Sequence, residues 1–292
     1  MTEHARIERS FARSRPTYDE AARPQRLIAA LLARRLRQLG GADFPSVFEF
    51  GCGTGHLTRA LARRNRFREI WLNDLSYRDI PPCDRFLPGP IEKLDPGRGF
   101  DLIASASTLQ WLDRPQDALA RIAHWLLPQG WLAVSSFGPA HFREIGTRGV
   151  SLLSSEHLGR ALPGDLHVMD HGSAIFRQRF PSPRAVLRHL RLTGVNGRAE
   201  KGWTRRDLDA FCDRYLARYG DAQGRVSLTW NPVWLIARKR LSPSGTDGVQ
   251  EPLSRPWHCD AGSPTSAPRD PYRPAFASAG DNGAAYAAPR EG

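Results

Sequence analysis

The stretch Val47-Phe48-Glu49-Phe50-Gly51-Cys52-Gly53-Thr54-Gly55-His56-Leu57-Thr58 decides how the rest of the chain is read. Val47, Phe48 and Phe50 form a short apolar run around Glu49, the pattern of a buried strand. The run breaks into Gly51-x-Gly53-x-Gly55, after which Leu57, Ala60 and Leu61 recur at helical spacing. A strand that turns through glycines into a helix leaves backbone N–H groups bare at the helix start. It also lets a ligand lie against the main chain. The dinucleotide fingerprint G-x-G-x-x-G does not fit: the third glycine comes one residue early, and His56 stands where that pattern needs glycine.

Downstream, Ile70-Trp71-Leu72-Asn73-Asp74 reads as a second strand ending in an acid, 19 residues past Gly55. An acid there is placed to accept two hydrogen bonds from a ribose diol. Its plainer role is a turn or helix-cap Asp, since Ser76 follows. Arg85–Gly89 gives a weak third strand, Phe100–Ala106 a fourth, and Trp131–Phe137 a fifth, with a helix predicted over about 115–127. Strands alternating with helices imply a parallel sheet covered on both faces. Ligands of such sheets sit beyond the carboxyl ends of the strands, where Gly51, Asp74, Ser105 and Ser136 are expected to gather.

Ahead of this unit lies a polar arm carrying Phe11 and Tyr18, either an anchor or a lid over a pocket (residues 1–22). Pro24 then opens an amphipathic helix with Leu27, Ile28, Leu31, Leu32, Leu36 and Leu39, ended by Gly40-Gly41. Past Gly138 the pattern changes. A mostly helical segment is expected over 139–162, a strand over 175–180, helices from Ser182 and from Thr204, and one long closing strand over 224–237, interrupted at Pro232.

Of residues 243–292, 28 are Pro, Gly, Ser or Ala, with one Leu, one Val and no Ile. That composition cannot bury a core and reads as a disordered tail after a domain of residues 1–242. The tail holds 4 Arg against 6 Asp/Glu, net −2, which leaves 38 basic and 24 acidic groups, net +14, on residues 1–242. Such an excess suits an acidic partner: nucleic acid, an acidic protein or an anionic substrate. Only Lys93, Lys201 and Lys239 are lysines, so GC-rich coding is the alternative source of the arginines. No window holds the ~18–20 apolar residues that span a bilayer, and no secretory signal is read at the N-terminus. The four cysteines, Cys52, Cys83, Cys212 and Cys259, show no C-x-x-C or zinc spacing, so no metal and a cytoplasmic setting are expected.

The form Glu49-x-Gly51-x-Gly53-x-Gly55 resembles the first motif of class I S-adenosylmethionine (SAM) methyltransferases. Further short segments, in order, resemble one subfamily, the malonyl-[acyl-carrier-protein] O-methyltransferases of biotin synthesis. They are Phe11 with Tyr18-Asp19, Gly89-x-Ile91-Glu92, Leu109-Gln110-Trp111, Phe137-Gly138-Pro139 with Glu144, His167-Val168, Phe180-x-Ser182-Pro183 running to Gly194, and Gly224-Arg225-x-x-Leu228-Thr229-Trp230. The likeness runs over about residues 5–240. Three departures are Pro90, where the family usually carries an Asp on the adenine amino group, Gln129 in the usual Pro-Gly-Gly turn, and Trp230 in place of the common Tyr, with the tail of residues 243–292 as an addition.

The resemblance implies an α/β doubly wound, Rossmann-like sheet, mostly parallel with one antiparallel closing strand. It implies SAM as co-substrate, held by Glu49, Gly51, Cys52, Gly53, Gly55, Asp74, Leu75, Ile91, Glu92 and Ser105. As acceptor the resemblance implies the free carboxylate of a malonyl group on an acidic acyl carrier protein or on coenzyme A. A carboxylate is already ionised at pH 7 and needs no general base. Arg143 and Arg148 are candidates to grip it, with Tyr18 lending a hydroxyl and Gln110 or Trp111 lining the acceptor pocket. Another small acid or RNA as acceptor, or a non-catalytic scaffold, are the alternatives, although no RNA-binding module is recognisable.

Overall fold

The computed structural model describes residues 3–40, 43–76, 80–146, 150–195 and 203–241. Residues 243–292, expected to form a tail, and Arg148 lie outside them. In chain order the first half holds α1 (Glu3–Ala21), α2 (Arg23–Gln38), β1 (Asp43–Phe50), α3 (His56–Ala62), β2 (Arg66–Asp74), β3 (Arg85–Pro88), β4 (Phe100–Ala106), α4 (Pro115–Ala123) and β5 (Leu126–Phe137). The second half holds α5 (Ser155–Arg160), β6 (Leu166–Ser173), β7 (Phe176–Phe180), α6 (Pro183–Leu192), α7 (Arg205–Tyr219), β8 (Val226–Trp230) and β9 (Pro232–Lys239).

Strand β1 is the centre, paired in parallel with β2 on one side and β4 on the other. The seven-stranded order is β3-β2-β1-β4-β5-β9-β6, and β9 runs antiparallel to both of its neighbours. This is the mostly parallel α/β sheet expected from the sequence. The two-residue side-chain period sorts β1 between two cores. Phe48 and Phe50 join Phe100, Ile103 and Leu132 under Leu119 and Ile122 of α4. Val47 joins Leu72 and Leu102 under Leu32 and Leu36 of α2 and Leu57 and Leu61 of α3. Glu49 shares the face of Val47, which drives a carboxylate into the layer beneath α3.

Four readings change. The closing strand is two strands in different sheets: β8 pairs with β7 in a separate ribbon, and only β9 enters the main sheet. The switch falls at Asn231, whose side chain accepts from Ala140 N (3.1 Å) and donates to Ala174 O (2.9 Å). Within 139–162 only α5 is α-helical among the described residues. The cause is Glu144, whose carboxylate accepts from Thr229 N (2.9 Å) and from the Thr229 hydroxyl, so the loop serves the free edge of β8 instead of coiling on itself. Edge strand β6 was not foreseen. In α2, Leu27 is exposed, and Gln25 takes a buried place on the stripe.

A third apolar cluster, with Phe137, Phe142, Val186, Leu190, Tyr215, Leu228 and the fully buried Trp230, joins α6, α7 and the β7–β8 ribbon into one layer. The N-terminal arm is a helix. Its hydroxyls sit on the end of α6: Ser10 Oγ donates to Gly194 O (2.9 Å) and Thr17 Oγ1 to Leu192 O (3.1 Å). Thr17 thereby serves one of the carbonyls that a helix end leaves without an internal partner. Gly194 has φ +69°, and a Cβ there would lie 2.6 Å from Ser14 Oγ. Gly194→Val is therefore expected to cost about 2 kcal/mol, roughly 4–8 °C in Tm. Limited proteolysis should then cut α1 while the sheet stays resistant; unchanged resistance of α1 would refute this seat.

Candidate functional site

At the carboxyl ends of β1, β2 and β4 lies a cavity with about 160 Å³ of room for water centres. Its floor is the glycine turn. Gly51, Gly53 and Gly55 all have positive φ (63°, 52° and 85°). Gly51 is obligatory for packing as well as for angle, because a Cβ there would lie 2.2 Å from Thr108 Oγ1. Cys52 N donates to Asn73 O (3.0 Å) and Gly55 N to Cys52 O (2.8 Å), which pins the turn to β2.

Asp74, at the end of β2, accepts from Gly53 N and from Leu75 N, each at 2.7 Å. One carboxylate thus ties the turn to the next strand and still faces the cavity. Asn73 is buried and donates to Leu87 O (2.8 Å) and Gly89 O (2.9 Å), which brings the Gly89–Glu92 wall beside Asp74.

Glu49 lines the same cavity at 1% exposure and accepts from Thr58 Oγ1 of α3 at 2.7 Å. Burial pushes its carboxyl up to about 8; the Thr58 hydrogen bond pulls the other way, and the Asp74 charge adds to the rise. Burial also pushes the Cys52 thiol upward, so that it stays protonated.

Helix α1 forms the roof. Ile7, Phe11 and Tyr18, at helical spacing, turn one face of the arm into the cavity. Phe11 meets Trp111 edge-on at 5.4 Å, and Tyr18 stacks on His56 at 5.8 Å. Thr54 of the turn donates to Asp19 at 2.6 Å, a direct clasp between roof and floor. Burial holds His56 down to about 4, despite Asp19 Oδ1 at 3.4 Å from its Nε2, so the ring is neutral. Burial and the charges of Asp19 and Asp74 push the Tyr18 phenol upward, which keeps it a donor.

Of the residues singled out from the sequence, Tyr18, Glu49, Gly51, Cys52, Gly53, Asp74, Leu75, Ile91 and Glu92 share this one cavity. Ser105 and Gln110 stand behind its wall. Ser105 Oγ donates to Phe50 O (2.7 Å), and Gln110 bridges Ser107 O (2.6 Å) and Ser136 Oγ (3.2 Å). Gly55 sits just before α3, outside the lining. Arg143 is half exposed on the loop after β5, also outside it, 3.9 Å from Glu144 Oε1.

Gln25, His56 and Ser107 line the cavity and were not foreseen as site residues. Gln25 is 6% exposed and its Oε1 has no partner; a polar residue on the apolar stripe of α2 was the available signal. Ser107 carries φ +59° and an unpartnered Oγ, a strained position with no mark in the sequence. Among the described residues no group of three or more His, Cys, Asp or Glu is placed to hold a metal ion. No described helix is long and apolar enough to cross a membrane.

A family profile described as a methyltransferase domain matches residues 18–191. A malonyl-[acyl-carrier protein] O-methyltransferase of Bacteroides helcogenes is 33% identical over 269 residues, covering 80% of this chain and 98% of that protein. One of Chlorobium luteolum is 34% identical, covering 84% and 98%. A third, of Bacteroides fragilis, is 36% identical over 245 residues, and the match spans half of that protein's length. Among solved structures, a putative methyltransferase of Bacillus halodurans matches in fold, with TM-score 0.51 and 13% identity over 72% of this chain and 98% of that one.

Glu49 gives the pH test of this geometry. Its folded pKa lies above the unfolded carboxylate value, so the folded state holds the extra proton and stability falls as pH rises from about 5 to about 8. Glu49→Gln is expected to flatten that segment of the stability–pH curve relative to wild type; parallel curves would contradict the burial of this carboxyl.

Proposed function

The chain belongs to the malonyl-[acyl-carrier protein] O-methyltransferases, and from that membership we propose that it methylates the free carboxylate of malonyl-acyl-carrier protein with SAM, the first step of pimelate synthesis for biotin. One observation carries the assignment of the site: a glycine floor, Asp74 and Glu49 meet in a single cavity roofed by α1.

The lining fits the co-substrate group by group. Space is open over Gly53, with nothing within 4 Å of where its Cβ would be, so a ligand can rest on the backbone. Asp74 is assigned to the ribose hydroxyls, and Ile91 and Glu92 with the Pro90 backbone to the adenine. Gln25 Oε1, buried without a partner, and Glu49 are acceptors suited to the ammonium of the methionine end. A cationic ligand also favours ionised Glu49. When bound, SAM supplies an electrophilic methyl group on a sulfonium sulfur.

What remains for the chain is to place one carboxylate oxygen in line and to keep water out. The apolar roof of Ile7 and Phe11 excludes water. The Tyr18 hydroxyl, held protonated by burial, donates to the acceptor carboxylate. Arg143 is proposed to draw the carboxylate in from the loop after β5. Methylation removes a charge that is costly to bury in an apolar pocket of a later chain-extending enzyme. The free thiols of Cys52, Cys83 and Cys212 fit a cytoplasmic setting.

Calorimetry with SAM, followed by methyl transfer to malonyl-carrier protein and to bulk tRNA, tests the whole reading; labelling of tRNA alone would replace the acceptor. Asp74→Ala is expected to weaken SAM binding about 30-fold, from about 2 kcal/mol of lost charge-assisted hydrogen bonding. Equal affinity in wild type and variant removes the ribose assignment. Tyr18→Phe and Arg143→Ala should each leave the SAM affinity within about twofold and lower turnover about tenfold or more.

A further inference from the structure

Between Phe176 and Val195 the chain carries Arg177, Arg179, Arg184, Arg188 and Arg191 and no Asp or Glu. All five are exposed. Arg177 and Arg179 alternate on one side of β7, while Phe176 and Phe180 turn toward Trp230 and the apolar layer. Arg184, Arg188 and Arg191 fall at i, i+4 and i+7, one stripe along α6. Arg184 is neutralised by Asp209 of α7 at 2.6 Å; among the described residues the other four make no ion pair.

The stripe ends where the roof of the cavity is fastened. Arg191 precedes Leu192, whose carbonyl accepts from Thr17 of α1, and Gly194 accepts from Ser10. Arg6, Arg9 and Arg13 of α1 share the flank beside Ser10 and Thr17, with Arg9 and Arg13 exposed. The acidic Glu8 lies on the other flank, whereas the exposed Glu20 falls on the arginine side two turns past Arg13, so the basic run is that of residues 6–13. Two rows of arginine therefore converge on the rim over Phe11, which lines the cavity.

Other helices are also rich in arginine, so charge alone selects nothing. Arg63, Arg66 and Arg68, for example, stand at the far end of the parallel strands, away from the glycine turn. Position singles out the α6 stripe. A substrate tethered to a protein by a flexible pantetheine arm must be delivered at the cavity rim while its carrier rests outside, and an acidic carrier needs a basic rest there.

We infer that the arginine stripe of α6, continued by β7 and the basic flank of α1, is the docking surface for the acidic acyl carrier protein. This rests on the proposed acceptor and adds where its protein part sits. Docking there leaves the SAM contacts untouched. It acts through long-range attraction and weakens as salt rises.

The test compares Arg188→Glu/Arg191→Glu with Arg63→Glu/Arg68→Glu, which makes the same charge change at the opposite end of the sheet. Affinity for malonyl-carrier protein is read directly by calorimetry at low salt. Turnover is read with the same carrier and with malonyl-N-acetylcysteamine, a thioester without a protein. The α6 pair is expected to lose about tenfold in carrier affinity, with SAM binding and small-thioester turnover within about twofold of wild type; the control pair should stay near wild type. Equal losses in both pairs, or an unchanged carrier affinity with lost retention of RNA, overturn the docking surface. Arg188→Ala, milder in charge, repeats the comparison if the double reversal lowers stability. A wild type that binds carrier through this stripe yet methylates no malonyl thioester would refute the proposed reaction and leave the docking surface standing.

Discussion

The space that a Cβ would need at Gly51 is filled by Thr108, and this exclusion sets the geometry at the top of the sheet. Because Gly51 can lie flat against the segment after β4, the turn bends back over β1 and its amides face β2. The Gly53 N–H then meets Asp74, and the Cys52 N–H meets Asn73 O. Three strands are thereby joined at one point by backbone groups and a single carboxylate. Neighbouring side chains inherit their places from it: Glu49 one face below, Leu75 beside it, His56 at the mouth of α3.

Around that point the structure divides the work between layers. The two cores on either face of the sheet fix the floor, while the third apolar layer holds the roof. Among the described residues the connections between roof and floor include polar and aromatic ones: Thr54 to Asp19, Tyr18 on His56, Phe11 on Trp111. Contacts of this kind belong to no strand ladder, so the sheet's own hydrogen bonds do not depend on the roof. Asp74 beneath an apolar roof favours a cationic co-substrate, and a cation there also draws the buried Glu49 toward its ionised form.

Local patterns were legible and distant ones were not. Strand β1, the glycine turn and Asp74 could be read because each depends on residues within a few positions: apolar alternation, missing side chains, an acid at a strand end. Ser105 and Gln110 were placed at the right end of the sheet, but their hydrogen bonds run to Phe50 O and Ser107 O, which no spacing announces. The loop after β5 read as helical because its own propensities allow a helix; Thr229, 85 residues away, claims Glu144 instead. Pro232 was visible as an interruption. That it divides two sheets depends on Asn231 bridging Ala140 and Ala174, a tertiary fact. Gln25 hid within an amphipathic stripe, where one polar residue among six or seven apolar ones draws little notice.

Strand β9 lies between β5 and β6, and β6 has no other neighbour in the sheet. The edge made by residues 166–173 thus has nothing to pair with until residues 232–239 have been synthesised. On the ribosome the parallel half can begin to assemble early, yet the layer that carries the roof waits for almost the last of the described residues. A nascent chain stalled or cleaved before that stretch would present the open side of β5 as an unpaired, apolar edge, the kind of surface that chaperones retain and that aggregates recruit.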